Sequence, residues 1–143
     1  MTDLSRRDEA LVALASMPNG QATPVQAIKM LFLMEKKAAA AIGGAKFSFV
    51  PYDYGPFDHG VYVELDALAR EGHVAIVEGK PRRYVLTPKG NEEAAKVLAR
   101  LDRTAADYFA RLGRWIASMT FAQLVSAIYQ EYPEMRANSI FRG

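Results

Sequence analysis

Hydrophobic residues recur at helical spacing in two segments at the start of the chain. The first segment covers residues 3–17 and ends at Pro18-Asn19-Gly20, a combination that breaks helices. In the second, Thr23 offers a capping oxygen, Pro24 occupies the first helical position, and Gly43-Gly44 ends the helix. The pattern therefore predicts two amphipathic helices. The buried side of the second consists of Val25, Ile28, Leu31 and Phe32, with Lys29, Lys36 and Lys37 on its flanks.

A third helix and a pair of strands are predicted in the middle of the chain. Residues 47–54 are aromatic and irregular, and they close on Gly55-Pro56, after which a third helix is predicted. Apolar and polar residues then alternate over residues 73–77 and 82–87, which predicts two strands joined by a turn at Gly79-Lys80-Pro81. The inward positions are Val61, Leu65, Leu68 and Ala69 on the helix, and Val74, Ile76, Tyr84 and Leu86 on the strands.

The last third of the chain predicts two more helices. Thr87-Pro88 repeats the cap-and-proline start of the second helix and begins a long helix, in which Gly113 is expected to cause a kink. Thr120 and Gln123 have the spacing of a capping box, which predicts a last helix over residues 121–132. The apolar positions of the long helix are Leu98, Leu101, Ala105, Tyr108, Leu112 and Ile116.

Three helices followed by a two-stranded hairpin is the order of elements in a winged helix-turn-helix protein. The hairpin is too small to be stable alone, so we expect its apolar face to pack on the helices. The predicted fold is mainly α with a small β-hairpin, a winged helix-turn-helix with additional C-terminal helices. The 143 residues suit one domain, with a core over about 3–90, a helical extension over about 88–133 and a tail over 134–143.

Composition excludes several other classes of protein. The chain has 18 basic and 16 acidic residues and a net charge of +2, which is too mild to indicate nucleic-acid binding by itself. It has no cysteine, which removes disulfides and thiolate metal sites and suits a reducing cytoplasm. Neither a signal peptide nor an apolar run of about 20 residues is evident. We expect a soluble, cytoplasmic protein.

No residue pattern indicates catalysis, a metal or a cofactor. His59 and His73 stand 14 positions apart without the spacing of metal ligands. Gly43-Gly44 lacks the lysine and hydroxyl residue that follow the glycines of a phosphate-binding loop. We therefore expect a binding protein and not an enzyme.

Two segments resemble a known family. Residues 52–74, which contain YDYGPF, LDAL and GHV, are similar to YwgA-like and SocA/Panacea-like proteins, which share a YGP helix start and a helix ending in glycine before a hairpin. Residues 84–90 (YVLTPKG) resemble the strand-to-helix junction of many winged helices, and residues 28–33 (IKMLFL) occupy the place of the family's second-helix pattern. The resemblance implies an antitoxin, adaptor or regulatory module with a winged-helix fold, and it implies no catalytic residues.

Binding to DNA is one of two functions that the residues leave open. The third helix of a helix-turn-helix protein lies in the major groove, yet this one carries four carboxylates against one arginine, which repels phosphates. The hairpin tip is basic and suits contacts with phosphates, and such a regulator would be dimeric through its first and C-terminal helices. The carboxylates are Asp58, Glu64, Asp66 and Glu71, the arginine is Arg70, and the candidate nucleic-acid-binding residues are Lys80, Arg82 and Arg83.

Binding to a protein is the function that we favour. Tyrosines are enriched in protein interfaces, and the aromatic segment before the third helix supplies several, whereas Phe47 and Phe49 are expected in the core. The predicted partner is a protein, with a toxin as one candidate, and apolar residues such as Trp115 leave a homodimer open. The candidate protein-binding residues are Tyr52, Tyr54, Asp58, His59, Tyr62 and Asp66.

Overall fold

Six α-helices and two small antiparallel sheets form the part of the protein that the computed structural model describes, residues 2–142. This arrangement confirms a mainly α protein with a small antiparallel sheet. The helices are α1 (Arg6–Ser16), α2 (Pro24–Ile42), α3 (Gly60–Arg70), α4 (Pro88–Leu98), α5 (Arg103–Ala117) and α6 (Phe121–Glu131). The strands are β1 (Gln21–Ala22), β2 (Val50–Tyr52), β3 (Gly55–Phe57), β4 (Val74–Val77) and β5 (Arg83–Leu86).

Threonine caps begin three of the helices at the positions that the sequence predicts. The hydroxyls of Thr23, Thr87 and Thr120 accept hydrogen bonds of 3.1 to 3.2 Å from the backbone N–H three residues further on. Each cap satisfies a backbone donor that has no partner within the helix. The first helix begins at Arg6, later than residue 3, because Ser5 and Asp8 form a capping box there.

The predicted hairpin of β4 and β5 is present and is part of a three-stranded sheet in the order β1-β5-β4. Val74 pairs with Leu86, and Ile76 pairs with Tyr84, so the apolar residues of both strands share the face that packs on the helices. The short strand β1 adds to the other side of β5. The sequence analysis missed β1 because two residues do not produce an alternating pattern.

Helix α1 lies at the centre of the protein. It packs against α2, α3, α4 and α5, and its residues from Glu9 to Leu14 are all buried. The C-terminal helices therefore share one core with the rest of the chain instead of extending from it. The apolar side chains of α1 are largely covered within one chain, and a dimer through α1 and the C-terminal helices stays a prediction.

The prediction of one long helix after Thr87 is wrong, because this segment forms two helices, α4 and α5, separated at residues 99–102. Thr2 donates a hydrogen bond to the Arg100 carbonyl at 2.8 Å, and the Arg100 guanidinium contacts the carboxylate of Asp8 at 3.1 Å. These contacts hold the connection against the N-terminal segment. Asp102 precedes the new helix, and its side chain accepts no capping hydrogen bond there. The break lets α4 and α5 pack on α1 separately. The buried face of α5 also differs from the predicted one. Phe109 is fully buried, whereas Tyr108, which was predicted on the apolar face, is only half-buried.

Gly113 does not kink α5, which is helical throughout, so that expectation is also wrong. The glycine instead allows α5 to approach the end of α1. A Cβ atom at residue 113 would lie 2.1 Å from the carbonyl oxygen of Ser16, well inside the van der Waals contact distance. Only a residue without a side chain fits at this contact.

Two carboxyl groups meet where α1 packs on α2. Glu9 is fully buried and Glu35 nearly so, and the Glu35 carboxylate accepts a hydrogen bond of 2.8 Å from the backbone N–H of Lys46. The Lys46 Nζ lies 3.9 Å from the carboxyl group of Glu9. Burial raises the pKa of Glu9, and the neighbouring Glu35 carboxyl group raises it further. The raised pKa favours the protonated form of Glu9 at neutral pH, and neither oxygen of its carboxyl group has a hydrogen-bond partner among the described residues.

We expect the substitution Gly113→Ala to lower the free energy of unfolding by at least about 2 kcal/mol, because the added methyl group overlaps the Ser16 carbonyl. In an unobstructed helix the same change is favourable by up to about 1 kcal/mol, so the sign of the effect is informative. Urea unfolding followed by circular dichroism measures the difference. The control is Arg114→Ala, a change at an exposed residue of the same helix, for which we expect less than about 1 kcal/mol. A stabilised Gly113→Ala variant would contradict the packing described here.

Candidate functional site

The aromatic segment after α2 forms a second hairpin, which the sequence analysis interpreted as irregular. Strands β2 and β3 pair so that Val50 lies opposite Phe57 and Tyr52 lies opposite Gly55. Tyr52 is about half exposed and stacks on the ring of Phe57, with 4.9 Å between the ring centroids. Phe47 is buried and Phe49 packs against the core, which confirms the core role expected for both.

The C-terminal tail fastens this hairpin to α6. The backbone N–H of Ile140 donates to the Asp53 carbonyl at 3.0 Å, and the Asn138 amide donates to the Pro51 carbonyl at 3.2 Å. The Tyr129 hydroxyl on α6 donates to the Ser139 hydroxyl at 2.6 Å. The tail up to Arg142 is therefore part of the structure around the hairpin.

Lys29 is buried between α2 and the hairpin, although the sequence pattern placed it on the flank of α2. Its residue surface is 4% exposed, and its Nζ donates to the Pro56 carbonyl at 3.2 Å. No carboxylate of residues 2–142 lies within 4.0 Å of this ammonium group. Burial without a charged partner lowers the pKa of Lys29 to about 8.

Gly55 makes room for the lysine. A Cβ atom at residue 55 would lie 3.3 Å from the Tyr129 ring and 3.6 Å from the Lys29 Nζ, and the backbone φ angle is +103°. Because residues with side chains rarely adopt this conformation, the glycine permits both the turn and the close approach of the ammonium group.

A small pocket opens beside Lys29, and we call it the lysine pocket. Its volume is about 200 Å³, and Asp53 lies at its edge. Gly55, Pro56 and Lys29 form one wall, so the ammonium group and its hydrogen-bond acceptor both belong to the pocket. The remaining walls are apolar and aromatic and come from Val25, Ile28, Tyr52, Tyr54, Phe57 and Tyr62. The arrangement is a mainly apolar recess whose lining contains one basic residue, Lys29, and one acidic residue, Asp53.

A second concavity continues from the lysine pocket, and we call it the α6 hollow. Its volume is about 380 Å³, and it shares Val25 with the lysine pocket. The rings of Tyr54 and Phe121 meet edge to face at 5.1 Å between the two concavities, and both residues are about 40% exposed. The α6 hollow is lined by Thr23, Pro24, Val25, Gln26, Pro81, Met119, Thr120, Phe121 and Leu124.

A third concavity, which we call the α3 hollow, lies between α3 and the β4–β5 hairpin. It has a volume of about 450 Å³ and brings the predicted residues His59, Tyr62 and Asp66 together with Arg82. Tyr62 also lines the lysine pocket, so five of the six candidate protein-binding residues lie around two adjoining concavities. Candidate protein-binding residues and the candidate nucleic-acid-binding residue Arg82 thus lie at the same surface.

Asp58 differs from the other candidate residues because backbone donors occupy its carboxylate. One oxygen accepts a hydrogen bond from the Gly60 N–H and the other from the Ser48 N–H, both at 2.7 Å. Asp58 holds the start of α3 against the preceding loop.

The charges near α3 are more balanced than the sequence indicates. Glu71 pairs with Arg7 at 3.1 Å, and Asp58 accepts hydrogen bonds from the backbone. Two of the four carboxylates are therefore occupied by partners within the chain. Glu64 and Asp66 remain beside Arg70, each partly exposed. The electrostatic objection to a phosphate backbone on α3 is therefore smaller than a residue count implies.

The basic residues at the tip of the β4–β5 hairpin are all exposed. Two of them have partners, since Arg82 contacts Glu78 at 3.0 Å and Arg83 donates to the Gln21 side chain at 2.6 Å. Lys80 forms no ion pair within the described residues. The hairpin thus offers one unpaired cation and two that hold neighbouring polar groups.

The described residues contain no group of three or more histidine, aspartate or glutamate side chains that could hold a metal ion. Among them, no helix combines the length and the apolar character needed to cross a membrane. Comparisons with protein-family models, with curated proteins and with solved structures give no match for this chain. The resemblance to YwgA-like and SocA/Panacea-like proteins therefore stays a prediction.

Two residues of this surface were not among the candidates from the sequence. Phe121 was predicted only as the first residue of the last helix, and Lys29 was placed on the polar flank of the second helix. For Phe121 the signal was available, because a large apolar residue directly after an N-cap lies at the exposed start of a helix. For Lys29 no local signal exists, since its burial depends on a hairpin more than 20 residues away.

We expect Lys29→Met to alter the pH dependence of stability. Because the pKa is lowered from 10.5 to about 8 in the folded protein, the unfolded chain binds more protons between these values. The wild-type protein therefore gains stability as pH rises from about 8 to 10.5, by about 2–3 kcal/mol, and the methionine variant lacks this gain. Unfolding in denaturant at pH 7.5, 9 and 10 measures both proteins.

The matched control is Lys36→Met, an exposed lysine of the same helix. We expect the stability of this variant to follow that of the wild-type protein at every pH. If the difference between wild type and Lys29→Met stays constant from pH 7.5 to 10, Lys29 is not held in the environment described.

Proposed function

We propose that this protein is a winged-helix interaction module of the antitoxin or adaptor type, and that it binds a protein partner without catalysing a reaction. The order α1-β1-α2-β2-β3-α3-β4-β5 supports the winged-helix assignment, since three helices precede a hairpin that packs on them, with the β2–β3 hairpin inserted between the second and third helices. On this interpretation the β4–β5 hairpin is the wing, and α4 to α6 are the additional helices. The lack of cysteine favours the cytoplasm as its compartment.

One observation carries the proposal of a protein partner: large aromatic side chains are exposed together around two neighbouring concavities, which share Val25. Tyr52, Tyr54 and Phe121 are 51%, 40% and 44% exposed, and they stand at the rims of the lysine pocket and the α6 hollow. Contiguous apolar surface of this kind is unfavourable in water and marks interaction sites. Tyrosine and phenylalanine are also enriched at the centres of interfaces, where they fill pockets on the partner.

The test is affinity capture from the organism that produces this protein, with the full chain as bait. We expect a partner protein to be retained by the wild-type chain and lost with Tyr54→Ser combined with Phe121→Ser, because these rings form the rim between the two concavities. The retained chain is identified by mass spectrometry, and its affinity is measured by calorimetry after purification.

Trp115→Ser supplies the matched control, because Trp115 is 43% exposed and lines neither the lysine pocket nor the α6 hollow. This variant should retain the partner. The proposal fails if no protein is retained, if the double variant retains the partner as well as the wild type, or if the control loses it.

The exposed cations at the tip of the β4–β5 hairpin favour a second function, a DNA-binding regulator that uses Lys80, Arg82 and Arg83. We expect binding to random duplex DNA at low salt to be weak, and Arg82→Ala combined with Arg83→Ala to change it little, because Arg82 and Arg83 already have polar partners. Fluorescence anisotropy at several salt concentrations measures this. Tight, steeply salt-dependent binding that is lost in the double variant would reverse the order of the two functions.

A further inference from the structure

Lys29 has more hydrogen-bonding capacity than the surrounding protein uses. An ammonium group has three donors, and within residues 2–142 only the Pro56 carbonyl accepts one of them. Asp53 lies at the edge of the same pocket, but its carboxylate is not within ion-pair distance of the Nζ. Buried charges are normally paired, because removing an unpaired charge from water is unfavourable. The unused donors therefore indicate an acceptor that comes from outside the chain.

The size of the lysine pocket limits what this acceptor belongs to. Pockets for cofactors and drug-sized ligands usually measure about 300–1,000 Å³, and the volume here is about 200 Å³. A space of this size accommodates a single side chain. The exposed rings of Tyr52 and Tyr54 at its rim supply a broader contact surface around such an anchor.

The charge in the lysine pocket limits the chemistry of the acceptor. Lys29 is the one basic residue and Asp53 the one acidic residue among the lining residues, so a phosphate dianion would add two negative charges to a lining that has one positive charge, and a single carboxylate on Lys29 is the more favourable ligand. Apolar walls favour a group carried on a short aliphatic stem. Both features describe the carboxylate of an aspartate or glutamate side chain.

We propose that the lysine pocket binds an acidic side chain of the partner protein, inserted from an apolar segment, and that Lys29 forms the ion pair that selects it. This inference rests on the proposed function, since it names the chemistry of the partner's anchor. The hydrogen bond from Lys29 to the Pro56 carbonyl satisfies one donor of the ammonium group. In this proposal it also fixes the position of the ammonium group at the pocket wall before the partner binds.

The first experiment uses the full chain and two small probes that differ only in charge, 3-phenylpropionate and 3-phenylpropanamide. NMR spectra of lysine-labelled protein follow the Lys29 Nζ and its titration. We expect the carboxylate to bind at least about tenfold more tightly than the amide, in line with a charge-assisted hydrogen bond in a desolvated site. We also expect the carboxylate to raise the pKa measured for Lys29, which a purely structural lysine would not show.

Lys29→Met should lower the affinity for 3-phenylpropionate at least about tenfold and leave the affinity for the amide within about threefold of the wild type. Lys36→Met, the exposed lysine of the same helix, should bind both probes as the wild type does. Equal affinity of the wild type for acid and amide overturns the inference, even if Lys29→Met does not fold. Unchanged binding of the acid by a folded Lys29→Met chain overturns it as well.

Capture of the partner distinguishes failure of this inference from failure of the proposed function. A partner that is lost with the Tyr54 and Phe121 substitutions but retained by Lys29→Met supports the interaction surface and overturns the role of Lys29. Lys29→Met and the partner's own alanine scan are read together. If Lys29→Met loses the partner, but no alanine substitution of an acidic residue in the partner weakens binding, the acidic anchor alone is overturned. Failure to retain any partner removes the proposed function and with it the anchor.

Discussion

The enclosure of α1 by four other helices is the constraint on which the rest of the structure depends. A helix that is buried from Glu9 to Leu14 can carry polar groups only where a neighbour satisfies them. Glu9 is the exception, because both of its carboxyl oxygens are buried without a hydrogen-bond partner, and burial raises its pKa so that the neutral form is favoured. The same enclosure requires close approach at the end of α1, where the backbone of α5 comes so near to Ser16 that residue 113 must be glycine.

Because α1 occupies the centre, α2 faces the core on one side and the β2–β3 hairpin on the other. Its buried run from Ala27 to Glu35 is longer than the stripe of an amphipathic helix, and Lys29 falls inside this run. The lysine therefore lies beneath the hairpin, where Pro56 is its hydrogen-bond acceptor. The candidate site thus follows from the way the hairpin closes over α2, and the tail from Asn138 to Ile140 keeps the hairpin in that position.

Local signals in the sequence predicted the parts of the fold that local interactions determine. The caps at Thr23, Thr87 and Thr120 and the strands around Val74 and Tyr84 were predicted correctly, because a hydroxyl three residues from an N–H, or an alternating pattern, acts within a few positions. The break at residues 99–102 was missed because alanine, arginine and leucine all favour a helix there. Its cause is the contact of Arg100 with Asp8, about 90 positions away in sequence.

The β2–β3 hairpin was missed for a different reason. Pro51 and Pro56 lie directly opposite each other in it, and proline normally argues against a strand because it cannot donate to the ladder. The two strands tolerate these residues because the pairing is only three residues long. Five of the six candidate protein-binding residues nevertheless line the concavities, since exposed tyrosines beside a helix start are visible in sequence.

The structure changes the reason for preferring a protein partner over DNA. From the sequence the preference depended on four carboxylates near α3, yet Asp58 and Glu71 are bound to other groups of the same chain. The charge of α3 is therefore a weaker reason to prefer a protein over DNA than the sequence indicates. The exposed aromatic residues around the pockets are now the main reason. A nucleic-acid surface needs unpaired cations spread along a groove, whereas at the hairpin tip only Lys80 lacks a described partner, and Lys29 is buried inside a mainly apolar pocket. A phosphate backbone does not reach such a recess, but a protruding side chain of a folded partner does.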